Sequence, residues 1–127
     1  MITTEELPES LCRGLTGTAK RSFEEVCGFI LDDFSYHIIK NVAPRPQTSF
    51  FMDPIEQIEF LKENHKRVVG VWHTHPTKDA IPSEDDMSGW HPRMPWRYFV
   101  VNEFEVNEYK RGEDGTAERT FNFTRRG

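Results

Sequence analysis

Two histidines set two positions apart, His73 and His75, end a β-branched run of Val68, Val69 and Val71, and Ser83 and Asp86 follow them. Alternate side chains of an extended segment share a face, so His73 and His75 project together and can reach one ion while Thr74 points away. The loop from Pro76 to Pro82 is long enough to turn the chain, and Ser83-Glu84-Asp85-Asp86 reads as a helix start that brings a carboxylate back to the histidines. Two imidazoles and one carboxylate suit zinc, and three protein ligands leave a fourth position open for water. A plainer reading exists for each part. Strand histidines are often just satisfied polar groups, and Ser83 with Asp86 is an acceptable helix cap by itself. The cap does not explain why two histidines on one face sit immediately before it.

The chain that must position these groups has 127 residues, enough for one modest core, and residues 1–127 are predicted to form a single domain. The net charge of −5 offers no general electrostatic footprint for nucleic acid or an anionic membrane surface, and Arg125-Arg126 reads as a solvated tail. Two cysteines, Cys12 and Cys27, make no disulfide framework, and nothing at the N-terminus resembles a signal peptide, so the cytoplasm is the expected compartment. No apolar run approaches the ~20 residues needed to span a bilayer. Ten phenylalanines favour a packed domain over disorder.

Thr3-Thr4-Glu5-Glu6-Leu7-Pro8 opens with capping residues, and Leu7, Leu11 and Leu15 recur at helical spacing, which predicts a first helix over 5–19 with Pro8 in its first turn and Gly14 and Gly17 weakening its end. A short apolar strand, 24–31, contains Gly28, a residue that in strands often marks close approach of another backbone. After a turn at Asp32-Asp33, residues 36–42 read as its antiparallel partner. Phe50-Phe51-Met52 is a short strand or aromatic ledge. Asp53-Pro54 starts a second helix ending near Lys66, with Ile55, Ile58 and Leu61 as its apolar face and Phe60 beside them. The central strand and a short helix over 83–89 come next. Pro92 and Pro95 punctuate the loop holding Trp90 and Trp96, which is either a dimer surface or a cover for the sheet. Strands over 98–101 and 104–110 and a hairpin turn at Asp114-Gly115 into 118–123 complete the chain. The sum is an α+β fold, a mixed sheet flanked by two main helices and a short third.

His73-Thr74-His75, seven residues, Ser83, two residues and Asp86 resemble the JAMM signature of the JAB/MPN metalloproteases, and Glu25-Val26-Cys27-Gly28 resembles the segment carrying that family's catalytic glutamate. The order of elements is also similar, so the resemblance covers most of the chain and is weakest over its last twenty residues. It implies a JAB/MPN-like, cytidine deaminase-like fold in which His73, His75 and Asp86 bind one zinc ion. It further implies that Glu25 is the general acid/base and that Ser83 stabilises the oxyanion. The Glu-x-Cys-Gly phrasing selects Glu25 over Glu24, and the seven-and-two spacing selects Asp86 over Asp85. Cys27 is a thiol nucleophile on one reading and core on another, and the family makes it structural. His37 and His91 have no partner at ligand spacing, and His65 reads as an exposed surface residue.

The implied substrate is a peptide or isopeptide bond after the C-terminal tail of a ubiquitin-like protein. Phe50, Phe51 and Met52 are either an apolar edge beside which an extended tail adds as a strand or part of the core. Two rival readings remain, a phage tail-tip peptidase, in keeping with Pro95-Trp96, and a metal-free scaffold. A monomer or weak homodimer is expected.

Overall fold

A computed structural model describes residues 5–90 and 95–126. Its elements are α1 (Glu9–Arg21), β1 (Cys27–Leu31), β2 (Tyr36–Ile39), α2 (Pro54–Asn64), β3 (Val68–Thr74), α3 (Glu84–Gly89), β4 (Arg97–Val101), β5 (Glu105–Arg111) and β6 (Ala117–Thr124). Six strands form one sheet in the order β2-β1-β3-β4-β5-β6. Every neighbouring pair is antiparallel except β3 and β4. A parallel pair needs a long crossover connection. That crossover carries α3, and it is what returns Asp86 to the end of β3.

The register sorts side chains to two faces. Ile30, Trp72, Phe99, Val101 and Val106 lie under α1 with Leu11 and Leu15. The other face holds Phe29, Leu31, Ile39 and Val68, against which Phe60 and Leu61 of α2 pack. It also holds Tyr98, Val100 and Tyr109, packed with Trp90 and Met87. His73 pairs with Cys27 and Val100 and belongs to this second face.

Several boundaries differ from those read in the sequence. Helix α1 starts at Glu9 and not Glu5, with Pro8 outside it as an extended N-cap at ψ 147, and it continues through Arg21. The residue before a proline is pushed out of the helical region, so Leu7 joins the core from an extended segment. Gly14 and Gly17 do not end the helix; a methyl group at Gly14 would lie 2.8 Å from the Tyr36 ring, so this glycine is there for close packing. Strand β1 begins at Cys27, three residues later than expected, and β2 stops at Ile39, after which the pairing continues as an isolated Asn41–Met52 bridge. The aromatic ledge is therefore one bridge and not a strand.

The largest departure is in α2. Ile55 and Ile58, expected to face inward, are 70% and 66% exposed. The helix packs instead through Phe60, stacked on Phe29 at 5.3 Å between ring centroids, and through Leu61. Gly28 meets its expectation, since a side chain there would collide with the His37 carbonyl of β2. Trp90 is buried and Trp96 lies edge-on to Phe29 at 5.5 Å, so both cover the sheet. Thr3, Thr4, His91 and Pro92 lie outside the described residues.

Candidate metal centre

The site sits where β3 runs out. His73 is on the strand; His75 is just past it, yet its N–H still donates to the Val101 carbonyl at 2.7 Å, continuing the line of β3 against β4. Thr74 faces the opposite way and clamps the neighbouring strand, its N–H donating to the Val26 carbonyl at 2.8 Å and its Oγ1 accepting the Val26 N–H at 2.9 Å. Glu25 stands two residues before Cys27, the partner of His73, and alternation puts its side chain on the histidine face. Asp86 arrives on the first turn of α3. There the helix cap and the site are the same structure: Ser83 Oγ accepts the Asp86 N–H at 3.1 Å, and Asp86 Oδ2 accepts the Ser83 N–H at 2.9 Å. Both sequence readings of this pair hold at once.

His73 Nε2 is 3.1 Å from His75 Nε2, and Asp86 Oδ2 is 3.1 Å from the first and 3.0 Å from the second. With a Glu25 carboxylate oxygen, the four groups lie within 4.8 Å of one another, and all four residues are buried. His75 Nδ1 lies 2.8 Å from the Asp79 carbonyl, which only accepts, so Nδ1 donates and Nε2 is the nitrogen turned to the cluster. Burial pushes the His73 pKa below its usual value and favours its neutral ring. Burial opposes ionisation of Asp86, but the two histidines and the Ser83 N–H outweigh it and hold the carboxyl well below the ordinary carboxylate range. Two ring nitrogens and a carboxylate oxygen thus converge on one point, and with both rings neutral and protonated at Nδ1 all three would offer an electron pair to a shared cation. A tetrahedral zinc ion with bonds of about 2.0–2.1 Å places its ligands about 3.3 Å apart, a few tenths of an ångström from this triangle. The donor set fits a metal ion.

Among the described residues, neither Glu25 carboxylate oxygen has a hydrogen-bond partner. Burial, reinforced by Asp86 and opposed by His75, raises its carboxyl to about 7. A buried carboxylate without a partner is costly unless a positive charge or a water faces it, and the converging His73, His75 and Asp86 donors lie beside it. Glu24 and Asp85, the rival acids, are both exposed. Cys27 is core: its Sγ–H donates to the Ile39 carbonyl at 3.4 Å, and burial pushes the thiol up to about 12, which removes it as a nucleophile. His37 is engaged with Ser35 Oγ at 2.9 Å and His65 is exposed, so neither joins the cluster.

Beside the ligands lies a cavity of about 350 Å³, walled by Phe29, Phe50, Met52, Trp90, Trp96 and Tyr98, with His73 and Asp86 on one side. Phe50 stacks on the His73 ring at 4.4 Å. Of the supporting residues, Asp79 gave no sequence signal because it acts through its main-chain carbonyl. Asn41 carried a faint one, an asparagine ahead of Ala43-Pro44 that suggests an Asx turn, which its Oδ1 forms with the Ala43 N–H at 3.0 Å.

Fold and site together define a class. Over residues 10–114 the chain matches the family described as prokaryotic homologs of the JAB domain, and it belongs to that family. It is 32% identical over 116 residues to a desampylase of Pyrococcus furiosus, covering 86% of this chain and 80% of the relative. A Haloferax volcanii desampylase is 32% identical over 85 residues, 60% of this chain and 58% of the relative. A probable TtuB-protein conjugate cleaving protease of Thermus thermophilus is 30% identical over 64 residues, 48% of this chain and 43% of the relative. The solution structure of a Desulfitobacterium hafniense protein, 22% identical, superposes with a TM-score of 0.62 over 94% of this chain and 88% of that one, which shows the shared fold.

Proposed function

We propose that the chain is a single-domain, zinc-dependent isopeptidase that hydrolyses the bond joining the C-terminal carboxyl of a ubiquitin-like protein to an amine. The observation that carries this reading is the convergence of His73 Nε2, His75 Nε2 and Asp86 Oδ2 beside the unpartnered carboxylate of Glu25. The desampylases and the TtuB-conjugate protease to which the chain is similar support the substrate class.

His73, His75 and Asp86 are the ligands in this account. A zinc ion held by them supplies Lewis acidity, lowering the pKa of water from ~16 towards ~7 and drawing charge from a carbonyl oxygen. Glu25 accepts the proton of the attacking water and passes it to the amine as the C–N bond breaks. A buried carboxylate with no hydrogen-bond partner among the described residues, set beside the converging donors, is placed to take that proton and return it. Ser83 has its lone pair engaged by the Asp86 N–H, which leaves its hydroxyl proton to donate to the oxygen that becomes negative, a contribution of ~3 kcal/mol to the barrier. The Phe50 to Met52 wall is an apolar edge for the extended tail. Two buried cysteines without a disulfide accord with a cytoplasmic setting.

The test uses a ubiquitin-like protein joined through its C-terminal carboxyl to the lysine of a fluorescent peptide. Zinc-loaded protein is expected to release the peptide, and Glu25→Gln to retain zinc while losing on the order of 10²–10⁴ in rate. A zinc-loaded wild type that leaves both this conjugate and the corresponding linear fusion intact would support the scaffold reading instead.

A further inference from the structure

Glu25 lies ahead of β1, outside the regular ladder, and among the described residues its carboxylate has no hydrogen bond of its own. Its position therefore depends on its main chain and on the packing around it. Both main-chain polar groups of Glu25 are held by the segment between β2 and α2: its N–H donates to the Pro46 carbonyl at 2.6 Å, and its carbonyl accepts from Asn41 Nδ2 at 2.8 Å. The Asn41 carboxamide is fully used. Nδ2 also donates to the Ser49 carbonyl at 3.1 Å, and Oδ1 accepts the N–H groups of Ala43 and Phe51, each at 3.0 Å. Two donors and two lone pairs are all that an amide side chain offers.

The loop closed by these bonds also touches the metal ligands, since Phe50 stacks on His73 at 4.4 Å. Asn41 thus stands at the junction of three things: the backbone of the glutamate, the fold of the 42–51 loop, and the wall that the loop lends to the cavity. We propose that Asn41 is a positioning residue for Glu25, its carboxamide fixing the glutamate backbone so that the carboxylate is held beside the metal ligands. The proposal rests on the reading of Glu25 as the general base. The shape of asparagine is required, because aspartate has no donor for the Glu25 and Ser49 carbonyls and glutamine is one methylene too long.

Asn41→Asp separates the two arms of the side chain. It keeps the oxygen that accepts from Ala43 and Phe51 and replaces the donor by an acceptor facing two carbonyls. Asn41 is half-buried, and Asn41→Ala removes both arms without adding charge. With zinc-loaded protein and the peptide conjugate described above, each variant is expected to lower kcat about 10- to 100-fold, the scale of a misplaced reacting group, with KM and zinc per chain unchanged. Hydrogen exchange supplies a readout independent of turnover. The Glu25 amide should exchange faster in both variants, while the Ala43 and Phe51 amides stay protected in Asn41→Asp and lose protection in Asn41→Ala. A kcat within twofold of wild type while the Glu25 amide has loosened, or a fall in kcat accompanied by loss of zinc, would overturn the proposal. Glu25→Gln, assayed alongside, separates the two levels of the argument. If it turns over normally, the general-base reading fails and takes this proposal with it; if it is inactive while the Asn41 variants are active, only the role of Asn41 falls.

Discussion

Glu25 bears an unfavourable burial that accords with the proposed general-base role, and the cost has a pH signature. In metal-free protein the carboxyl is protonated in folded and unfolded chains below pH 4.5, its ordinary value. Between 4.5 and about 7 the unfolded chain releases the proton and the folded chain keeps it, so this group's contribution to stability falls as pH rises through that window and is constant above it. Glu25→Gln lacks the titration. The metal-free variant is thus expected to gain stability on wild type as pH rises from 4.5 to 7, read as diverging melting temperatures; a pH-independent difference would contradict the raised pKa. Ser83 makes two separable contributions. Ser83→Ala should cost ~1 kcal/mol of stability through the lost cap and about 100-fold in kcat through the lost hydroxyl, measured by denaturant unfolding and by turnover. Within the candidate site, the placing of His73 beside His75 was legible from strand alternation, whereas Glu25, Ser83 and Asp86 were picked out by their match to a known signature. Asp79 was not legible, because its contribution is a main-chain carbonyl that any residue would supply.

Among the elements, α2 shows why periodicity finds a helix but not always its buried face. Ile55, Ile58 and Leu61 recur at helical spacing with Phe60 to one side, and hydrophobicity alone cannot say which part of that surface meets the sheet. The Phe60 ring decides it by stacking on Phe29, and the isoleucines stay in solvent. Ile55→Glu and Ile58→Glu should therefore change unfolding free energy by no more than ~0.5 kcal/mol, where the inward-facing reading demands several. Gly28 carries the reverse prediction. Any side chain there meets the His37 carbonyl, so Gly28→Ala should destabilise the chain by ~3 kcal/mol or more and part β2 from β1, visible as loss of amide protection in both strands. The late start of β1 and the early end of β2 were not legible because hydrogen bonds with the Asn41 side chain and the Pro46 carbonyl replace the ladder at Glu25.

For the whole molecule, the one parallel step in the sheet is the organising feature. Because β3 and β4 run together, the chain must cross back between them, and the crossover delivers Ser83 and Asp86 to the C-terminal end of β3 where the histidines already stand. The α+β class was legible from the order of elements. The place of this crossover in the strand order was not, since both neighbours of β3 read equally well as antiparallel partners. Behind the sheet, Arg97 of β4 makes a two-pronged, buried ion pair with Glu108 of β5, at 2.9 and 3.0 Å, and donates to the Glu5 carbonyl, tying the segment before α1 to the far strands. Arg97→Met leaves Glu108 buried without its partner and should cost ~3–5 kcal/mol in unfolding free energy, most of it recovered when Glu108 is also made apolar.

The most direct test of the central claim is the zinc content of protein purified without added metal, measured beside Asp86→Asn. The account predicts about one zinc per chain in wild type and a loss of most of it in the variant, because the triangle of donors is then one charged ligand short. Wild-type protein that carries no zinc and takes up none on titration would contradict the metal centre and the hydrolase built on it.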